Sequence, residues 1–437
     1  MKKTFLAAVG LLLFSHAAAQ TESIPQDRPS YTMTLEDCLM YAMGNSYSRQ
    51  QMELSEESYA ADYDQSKLER LPNLNASLSE NFNHTKGNSA TWGGSYGINT
   101  GMMLYQGGSI SNTIEQGRLR MEQASYRTAQ YDNRLTIQIL QNFLTVLGNE
   151  DLLKYLDNVL ETSKGQLQQG EERFKWGTIL ESDYMMLKAQ VASDMNNIVD
   201  AGINRDNSLL ALKGLLSMDM DAELRIAYPD TSAIAAMTVV PSLDYFVDRA
   251  MNTLPDLDIL QYGVDIAATN LKISKAGYFP TLSLSGGIGT GHQRDYSDFG
   301  TQLSDRFSQQ AGLSLSVPIF NRNRTRTNVT KSRIALMQAE LDQKQSELDI
   351  RQTVIGEYLD MQAARSKFLT LQIKEEAYRR SFEVYGHLFE AGSITPVELL
   401  QQQNNYINVL NDFVQSKYNF ILRRKMLDVY MGERIVM

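Results

Sequence analysis

The residues of this chain that have chemistry to offer are few, and their spacing withholds it. The sequence holds 4 histidines and 1 cysteine. His16 falls in an apolar N-terminal stretch, His84 and His292 lie in or near polar loops, and His387 sits on a helical pattern. None has a second His or a Cys at the spacing a metal site needs. Cys38 stands alone, which excludes a disulfide framework and a cysteine metal site; it reads as a small buried residue of the first helix. There is no nucleophile-elbow, phosphate-loop or dinucleotide fingerprint. Gly93-Gly94 and Gly286-Gly287 read as small strand residues, Met102-Met103 and Met185-Met186 as packing rather than a copper path, and Glu171-Glu172 as a solvated helix face. The expectation is therefore no enzyme, no cofactor and no metal.

What does stand out is an acid placed by a turn. In Phe389-Glu390-Ala391-Gly392-Ser393-Ile394-Thr395-Pro396-Val397-Glu398-Leu399, Gly392 suits the left-handed residue that ends a helix. Thr395 then serves as N-cap, Pro396 takes the first position, where no amide is needed, and Glu398 completes a capping box. This is the tip of a helical hairpin. The same signal occurs once earlier, at Phe174-Lys175-Trp176-Gly177-Thr178-Ile179.

The elements around these tips are set out twice. A helix opening at Thr34-Leu35-Glu36-Asp37 runs to about Leu71, is closed by Pro72, and gives way to alternation: Leu74, Ala76 and Leu78 against Asn75, Ser77 and Ser79. Downstream, Leu243-Asp244 opens a helix and Pro280-Thr281-Leu282 matches Pro72-Asn73-Leu74. Tyr105-Gln106-Gly107-Gly108 matches Phe320-Asn321-Arg322-Asn323, and Phe174, Gly177 and Ile179 match Phe389, Gly392 and Ile394. The offset is constant within each block and lengthens only between the prolines and the strand ends, where a surface loop absorbs an insertion. Each half reads helix, strand, loop, strand, long helix, tip, helix. We divide the chain into a signal peptide over 1–19, a first repeat over 20–218, an equatorial linker over 219–242 with Pro229 and Pro241, and a second repeat over 243–437.

The signal peptide is read from Lys2 and Lys3, the apolar run Phe5 to Phe14, and Ala17-Ala18-Ala19 ahead of cleavage near Gln20. No cysteine follows the cleavage point, so the mature end is expected to be unlipidated. Beyond it no run reaches the roughly 18 apolar residues of a spanning helix. The net charge of −10 argues against nucleic acid as a partner.

The strands offer another way into a membrane. Trp92, Gly94, Tyr96, Ile98, Thr100, Met102 and Leu104 alternate with small polar residues, as do Ala311, Leu313, Leu315, Val317 and Ile319. Each stretch is about 10 to 14 residues, enough for a tilted strand to cross a bilayer. The loops Asn83 to Ala90 and Gly291 to Ser308 are polar. Four strands cannot close a barrel, and an open edge in hydrocarbon costs several kcal/mol per unpaired group. Two chains give a narrow eight-stranded barrel; three give twelve strands and room for a pore. The helix from about Asn323 to Leu388 is roughly 100 Å long at ~1.5 Å per residue. Leu399, Tyr406, Phe413, Phe420 and Leu427 recur at seven-residue spacing, the mark of coiled-coil packing.

The duplicated order, Pro72 and Pro280 at the helix-to-strand turns, the strand exit Val317-Pro318-Ile319-Phe320 and the Gly392-Ser393-Ile394 tip resemble the TolC-like outer membrane efflux protein family over about residues 31 to 433. The resemblance implies an α+β membrane protein: a homotrimer whose chains each give four strands to a 12-stranded barrel in a Gram-negative outer membrane, continued by a long periplasmic α-helical barrel. It implies a passive exit duct of a tripartite efflux pump, or alternatively of type I protein secretion, with a periplasmic adaptor and an inner-membrane transporter as partners. It also implies that the tips, Gly177, Thr178 and Ile179 with Gly392, Ser393 and Ile394, receive the adaptor, and that Glu398 matches the first of the acidic positions constricting the periplasmic entrance. Gln401 stands at a second position often acidic in the family, Asp183 matches Glu398 by register, and Phe389 stands where a gate tyrosine is frequent. Glu398 is thus both a local cap and a gate candidate. A reading of another class stays open: a non-conducting exported coiled-coil scaffold or adhesin.

Overall fold

The structure is a computed structural model and describes residues 30–84, 86, 91–228, 240, 242–293, 298–433 and 435. The signal peptide, Pro229, Pro241 and parts of the two strand-connecting loops lie outside the described residues.

The first half opens with β1 (Ser30–Met33), α1 (Leu35–Asn45) and α2 (Tyr47–Leu68). A short strand thus stands ahead of the first helix, and the single helix expected to run to Leu71 is two. Ser46 makes the break: it ends α1 and its hydroxyl accepts the Arg49 N–H that starts α2. Thr34 and Asp37 form a capping box at the start of α1. Next come β2 (Asn73–Asn83), β3 (Thr91–Gln106), α3 (Ser109–Lys175), α4 (Glu181–Leu216) and β4 (Glu223–Ile226). The second half repeats the order with α5 (Leu243–Thr253), α6 (Pro255–Ala276), β5 (Thr281–Gln293), α7 (Phe299–Asp305), β6 (Ser308–Ser316), α8 (Arg324–Glu390) and α9 (Pro396–Tyr430). Its first helix is broken as well, because Pro255 cannot continue α5 and instead starts α6. The long polar loop carries α7, capped by Asp298. The last strand stops at Ser316, so Val317 and Ile319 lie beyond it.

Pro72 and Pro280 each stand between a helix end and the first residue of a strand, and Pro318 between β6 and α8. The duplication extends to backbone detail. Gly107 and Gly108 enter α3 with φ of 58° and 80°, and at the matching positions Arg322 and Asn323 enter α8 with φ of 54° and 59°. The second repeat forms a left-handed pair without glycine, so the two repeats share the turn geometry though only the first uses the residue that adopts it most easily.

The strands form an antiparallel sheet in the order β2-β3-β5-β6. Its register puts Asn75, Asn99, Gly287 and Gln310 in one row, and Met102, Leu284 and Leu313 in a row on the other face. The apolar face is bare: Leu78 is 78% and Leu313 66% exposed. One acid lies on that face near the loop end, and its bonds are made locally. Glu80 accepts from Trp92 Nε1 at 2.7 Å and from the Tyr96 hydroxyl, with His292 Nε2 at 3.6 Å. A second, two-stranded parallel sheet joins β1 to β4 and ties the opening of the first repeat to the linker that follows it.

Below the sheet, α3 packs on α2 and α6, and α8 on α6. Farther down, α3 pairs with α4, α8 with α9, and α9 crosses both α3 and α4. The core is a long seam rather than a ball. It runs through Ile139, Phe143 and Leu147 of α3 and Leu399, Leu410, Phe420 and Leu427 of α9. Cys38 is fully buried in it, and burial pushes its thiol up to about 12. α3 and α8 have 67 residues each, close to 100 Å at ~1.5 Å per residue.

Candidate functional site: the paired hairpin tips

Both long helices end in the same way. Gly177, at φ 71°, donates its N–H to the Phe174 carbonyl and Thr178 donates to the Arg173 carbonyl, both at 2.9 Å. Gly392, at φ 75°, donates to Phe389 and Ser393 to Leu388, again at 2.9 Å. These are Schellman terminators, and they need a left-handed residue at the glycine. Only glycine takes that conformation freely, which is why both tips carry one.

The restarts differ. At the second tip the Glu398 N–H donates to Thr395 Oγ1 at 3.5 Å, and the Thr395 N–H and hydroxyl donate back to Glu398 Oε2 at 2.9 and 3.1 Å. The capping box is complete, with Pro396 at the first position. At the first tip Leu180 is the N-cap and supplies no side-chain hydrogen bond.

The two tips face one another across an open groove of about 530 Å³ whose lining includes Gly177, Ile179, Asp183, Phe389, Gly392 and Ile394. So the structure brings Asp183 and Phe389 together with both tips. Glu398 and Gln401 are not part of that lining; they lie exposed along the start of α9, with the Glu398 carboxylate committed to the cap. Phe389 is fully buried and acts through packing.

Several residues that bind the tips together escaped the sequence reading. Arg173 of α3 donates from Nη2 to the Glu390 carbonyl at 2.7 Å, and Gln169 Nε2 donates to the same oxygen at 3.3 Å. The Arg173 guanidinium also lies 5.1 Å from the centre of the Phe389 ring. Farther along the hairpins, Asp194 of α4 is buried and accepts from Ser163 Oγ (2.6 Å), Gln190 Nε2 (2.9 Å) and Gln403 Nε2 (2.8 Å). This knot joins α3, α4 and α9. One signal for it was available: Gln403 interrupts an otherwise apolar ladder between Leu399 and Tyr406, so it had to be a polar residue on a core face. Arg173 and Asp194 carry no such local mark.

Among the described residues no group of three or more His, Cys, Asp or Glu is arranged to hold a metal, and no helix is long and apolar enough to cross a membrane. The sheet is the membrane candidate, and the helices extend away from it.

A duplicated chain with a membrane-length sheet at one end and, at the other, two helical tips each closed by a left-handed glycine is the subunit of a channel that continues as a helical tunnel. The sequence profile described as outer membrane efflux protein matches residues 41–217 and 246–433, and the chain belongs to that family. It is an outer-membrane efflux channel protein and not an enzyme. Among curated relatives it is 21% identical over 329 residues to the outer membrane protein TolC of Vibrio cholerae serotype O1, covering 75% of this chain and 74% of that one. It is 20% identical over 375 residues to the cation efflux system protein CusC of Escherichia coli K12, covering 83% and 79%. Its fold is that of a solved CusC structure, with a TM-score of 0.78 at 17% identity over 94% of this chain and 96% of that chain. The Campylobacter jejuni CmeC outer membrane channel gives 0.72 at 16% identity over 98% and 94%.

Proposed function

We propose that three copies of this chain close one 12-stranded barrel and one helical tunnel, and that the assembly is the passive outer-membrane duct of a tripartite efflux pump. The observation that carries this is the open sheet. Among the described residues β2 and β6 are its edge strands, each paired on one side only, to β3 and β5, with the outer side open. Unpaired edges are costly in hydrocarbon, so other copies must supply the missing neighbours. Three copies contribute twelve strands, enough to leave a lumen lined by the Asn, Ser and Gly face.

In this reading the signal peptide over 1–19 is removed and the linker over 219–242 divides the two repeats. The mature chain is taken as unlipidated in this reading; what supports it is that no cysteine directly follows the cleavage point near Gln20. The tips Gly177–Ile179 and Gly392–Ile394 meet a periplasmic adaptor, which couples the duct to an inner-membrane transporter. Small molecules are the cargo in this reading, as for the cation efflux relative; a secreted protein is the alternative, since the relatives also include a toxin and drug export protein and an alkaline protease secretion protein. Glu398, Asp183 and Gln401 stand at the periplasmic entrance, where a ring of carboxylates raises the cost of anions and attracts cations.

The test is to reconstitute the purified protein in planar bilayers and run it unboiled on a denaturing gel. The expected results are a heat-sensitive trimer band and cation-preferring conductance that Glu398→Ala makes less selective. A monomer without conductance would support the scaffold reading and sink the duct; unchanged ion selectivity in Glu398→Ala would remove that residue from the gate alone.

A further inference from the structure

We propose that α7 is a membrane-contacting element of the barrel wall: it fills the notch that the short β6 leaves beside β5, and it meets the outer-leaflet lipid at the hydrocarbon boundary. This rests on the reading of the sheet as part of a barrel with its apolar face outward.

The notch follows from the register. β6 pairs with Thr281 to Gly289 of β5, while β3 pairs with β5 as far as Gln293. Among the described residues, Thr290 to Gln293 therefore have a strand on one side only. An open strand edge at membrane depth leaves backbone groups that water cannot satisfy. α7 takes that place. Gln302 is buried, and its Oε1 accepts the Gln293 N–H at 2.7 Å. Thr290 Oγ1 donates to the Leu303 carbonyl at 2.6 Å. The Phe299 ring stands edge-on to His292, with 5.0 Å between ring centres. So α7 lies against the upper rows of the sheet and not above its rim.

Those rows set its depth. Thr290 shares a row with Leu78 and Tyr96, and His292 shares one with Glu80 and Gly94. Both rows belong to the apolar face, and both lie below the pair Phe82 and Trp92 that closes its pattern at the loop end. From Leu74 to Phe82 the strand covers about 27 Å at ~3.4 Å per residue, or about 20 Å of height at a tilt of about 40°. The apolar band of a membrane barrel is about 25 Å tall. Phe82 and Trp92 therefore mark its upper boundary, and α7 sits just below. The cost of a charge on the lipid face falls toward that boundary, which is where Glu80 stands.

The ring that α7 rests on is itself held in place. A Cβ at Gly94 would come within 2.6 Å of His292 Cε1 and 2.8 Å of Glu80 Cδ. Glycine thus makes a saddle in β3 over which side chains of β2 and β5 meet. Glu80 also accepts from Trp92 Nε1 at 2.7 Å, and His292 stacks on Tyr96 with 6.0 Å between ring centres. With Gln302 turned to β5, α7 leaves Phe299 half-exposed, and Phe307 just past its end is half-exposed too. Aromatic rings at the edge of an apolar band are suited to the membrane interface. These two continue the bare apolar face of the sheet, so the occupant they fit is lipid.

The experiment places single spin labels on the full-length protein in phosphatidylcholine vesicles and compares collisions with oxygen, which enters hydrocarbon, and with a water-soluble nickel chelate. Cys38 is the native cysteine and is fully buried, so an introduced cysteine takes the label. Leu313→Cys reports the apolar band; Phe299→Cys and Phe307→Cys report α7 and its end, each standing in if the other fails to assemble. The expected result is oxygen access without chelate access at 313, and oxygen exceeding chelate by a smaller ratio at 299 and 307. Adding Gly94→Ala should shift position 299 toward the chelate and leave 313 unchanged; no shift overturns the saddle as what holds α7. The proposal is overturned if 299 and 307 meet the chelate as freely as a label in water. It is equally overturned if neither probe reaches them, since protein rather than lipid then covers α7. Chelate access at 313 as well removes the barrel reading itself, a distinguishable outcome.

Discussion

The tip between α3 and α4 and the tip between α8 and α9 share a terminator and part company one turn later. Both stop their helix with a left-handed glycine and the same pair of backbone bonds. Only the second restarts with a threonine, a proline and a reciprocating glutamate. The second also plugs its own base, with Phe389 fully buried. The first leaves its equivalent, Phe174, partly exposed and stacked on Tyr184 at 5.3 Å, and holds Trp176 83% and Leu180 70% exposed. Duplicated segments have thus kept the geometry that reverses the chain and diverged in what surrounds it. Backbone reversal tolerates few residues, whereas the start of a helix can be capped, or left to water, in several ways.

The largest effect should come from the buried ring. Phe389→Ala removes a fully buried aromatic side chain, a change that typically costs about 3–5 kcal/mol. Phe174→Ala removes a partly exposed stacked ring, for which about 0.5–1.5 kcal/mol beyond area burial is ordinary. Denaturant midpoints of the two variants, followed by circular dichroism at the helix signal, should therefore differ clearly. Equal midpoints would show that the two tips contribute alike and would break the contrast.

An intermediate effect tests the caps. Thr395→Ala should cost about 1 kcal/mol, the usual loss for an N-cap. Leu180→Asp should gain a similar amount, since the first restart has no side-chain cap to lose and its leucine is exposed. Hydrogen exchange at the first amides of α4 and α9 reports each helix start separately. Protection that falls in α9 for the first variant and rises in α4 for the second sharpens the comparison; no change in either shows that neighbouring contacts, not caps, hold these turns.

The difference between caps and clasps also explains what the sequence reveals. Thr395, Pro396 and Glu398 cap within one turn, so their roles were visible in a short string of letters. The repeat was visible because proline and glycine punctuate both copies. The main sheet was visible through its alternation, although β6 ends at Ser316 where the apolar pattern runs on to Ile319. What stayed hidden is non-local. The strand β1 exists because residues near Glu223 pair with it, and Arg173 matters because of a carbonyl in the other repeat. Asp194 gave no signal among the many polar residues of its mixed helix, while Gln403 did, as a polar residue on an apolar ladder. Pro255 was a missed local signal: it marks the break between α5 and α6 as plainly as Pro72 marks the end of a helix.

The smallest expected effect lies at the first tip and depends on pH. Lys175 beside Glu171, at 2.8 Å, holds the Glu171 carboxyl below its ordinary 4.5, and Glu171 in turn holds Lys175 above its ordinary 10.5. A carboxyl with a depressed value adds stability above its unfolded value and loses it as the pH falls through the folded one. An amine with a raised value adds stability below its unfolded value and loses it as the pH rises through the folded one. The pair therefore supports the end of α3 across the neutral range and gives up its contribution below about pH 4.5 and above about pH 10.5. Both groups are exposed, so water and salt screen the contribution heavily. Glu171→Gln should leave the midpoint at pH 7 only slightly lower, flatten the acid side of the stability curve there, and become indistinguishable from native at about 1 M salt, where the screening length is roughly 3 Å. A difference that persists in high salt would mean that Glu171 acts through packing, and the first tip would then be more tightly built than its exposed tryptophan and uncapped helix suggest.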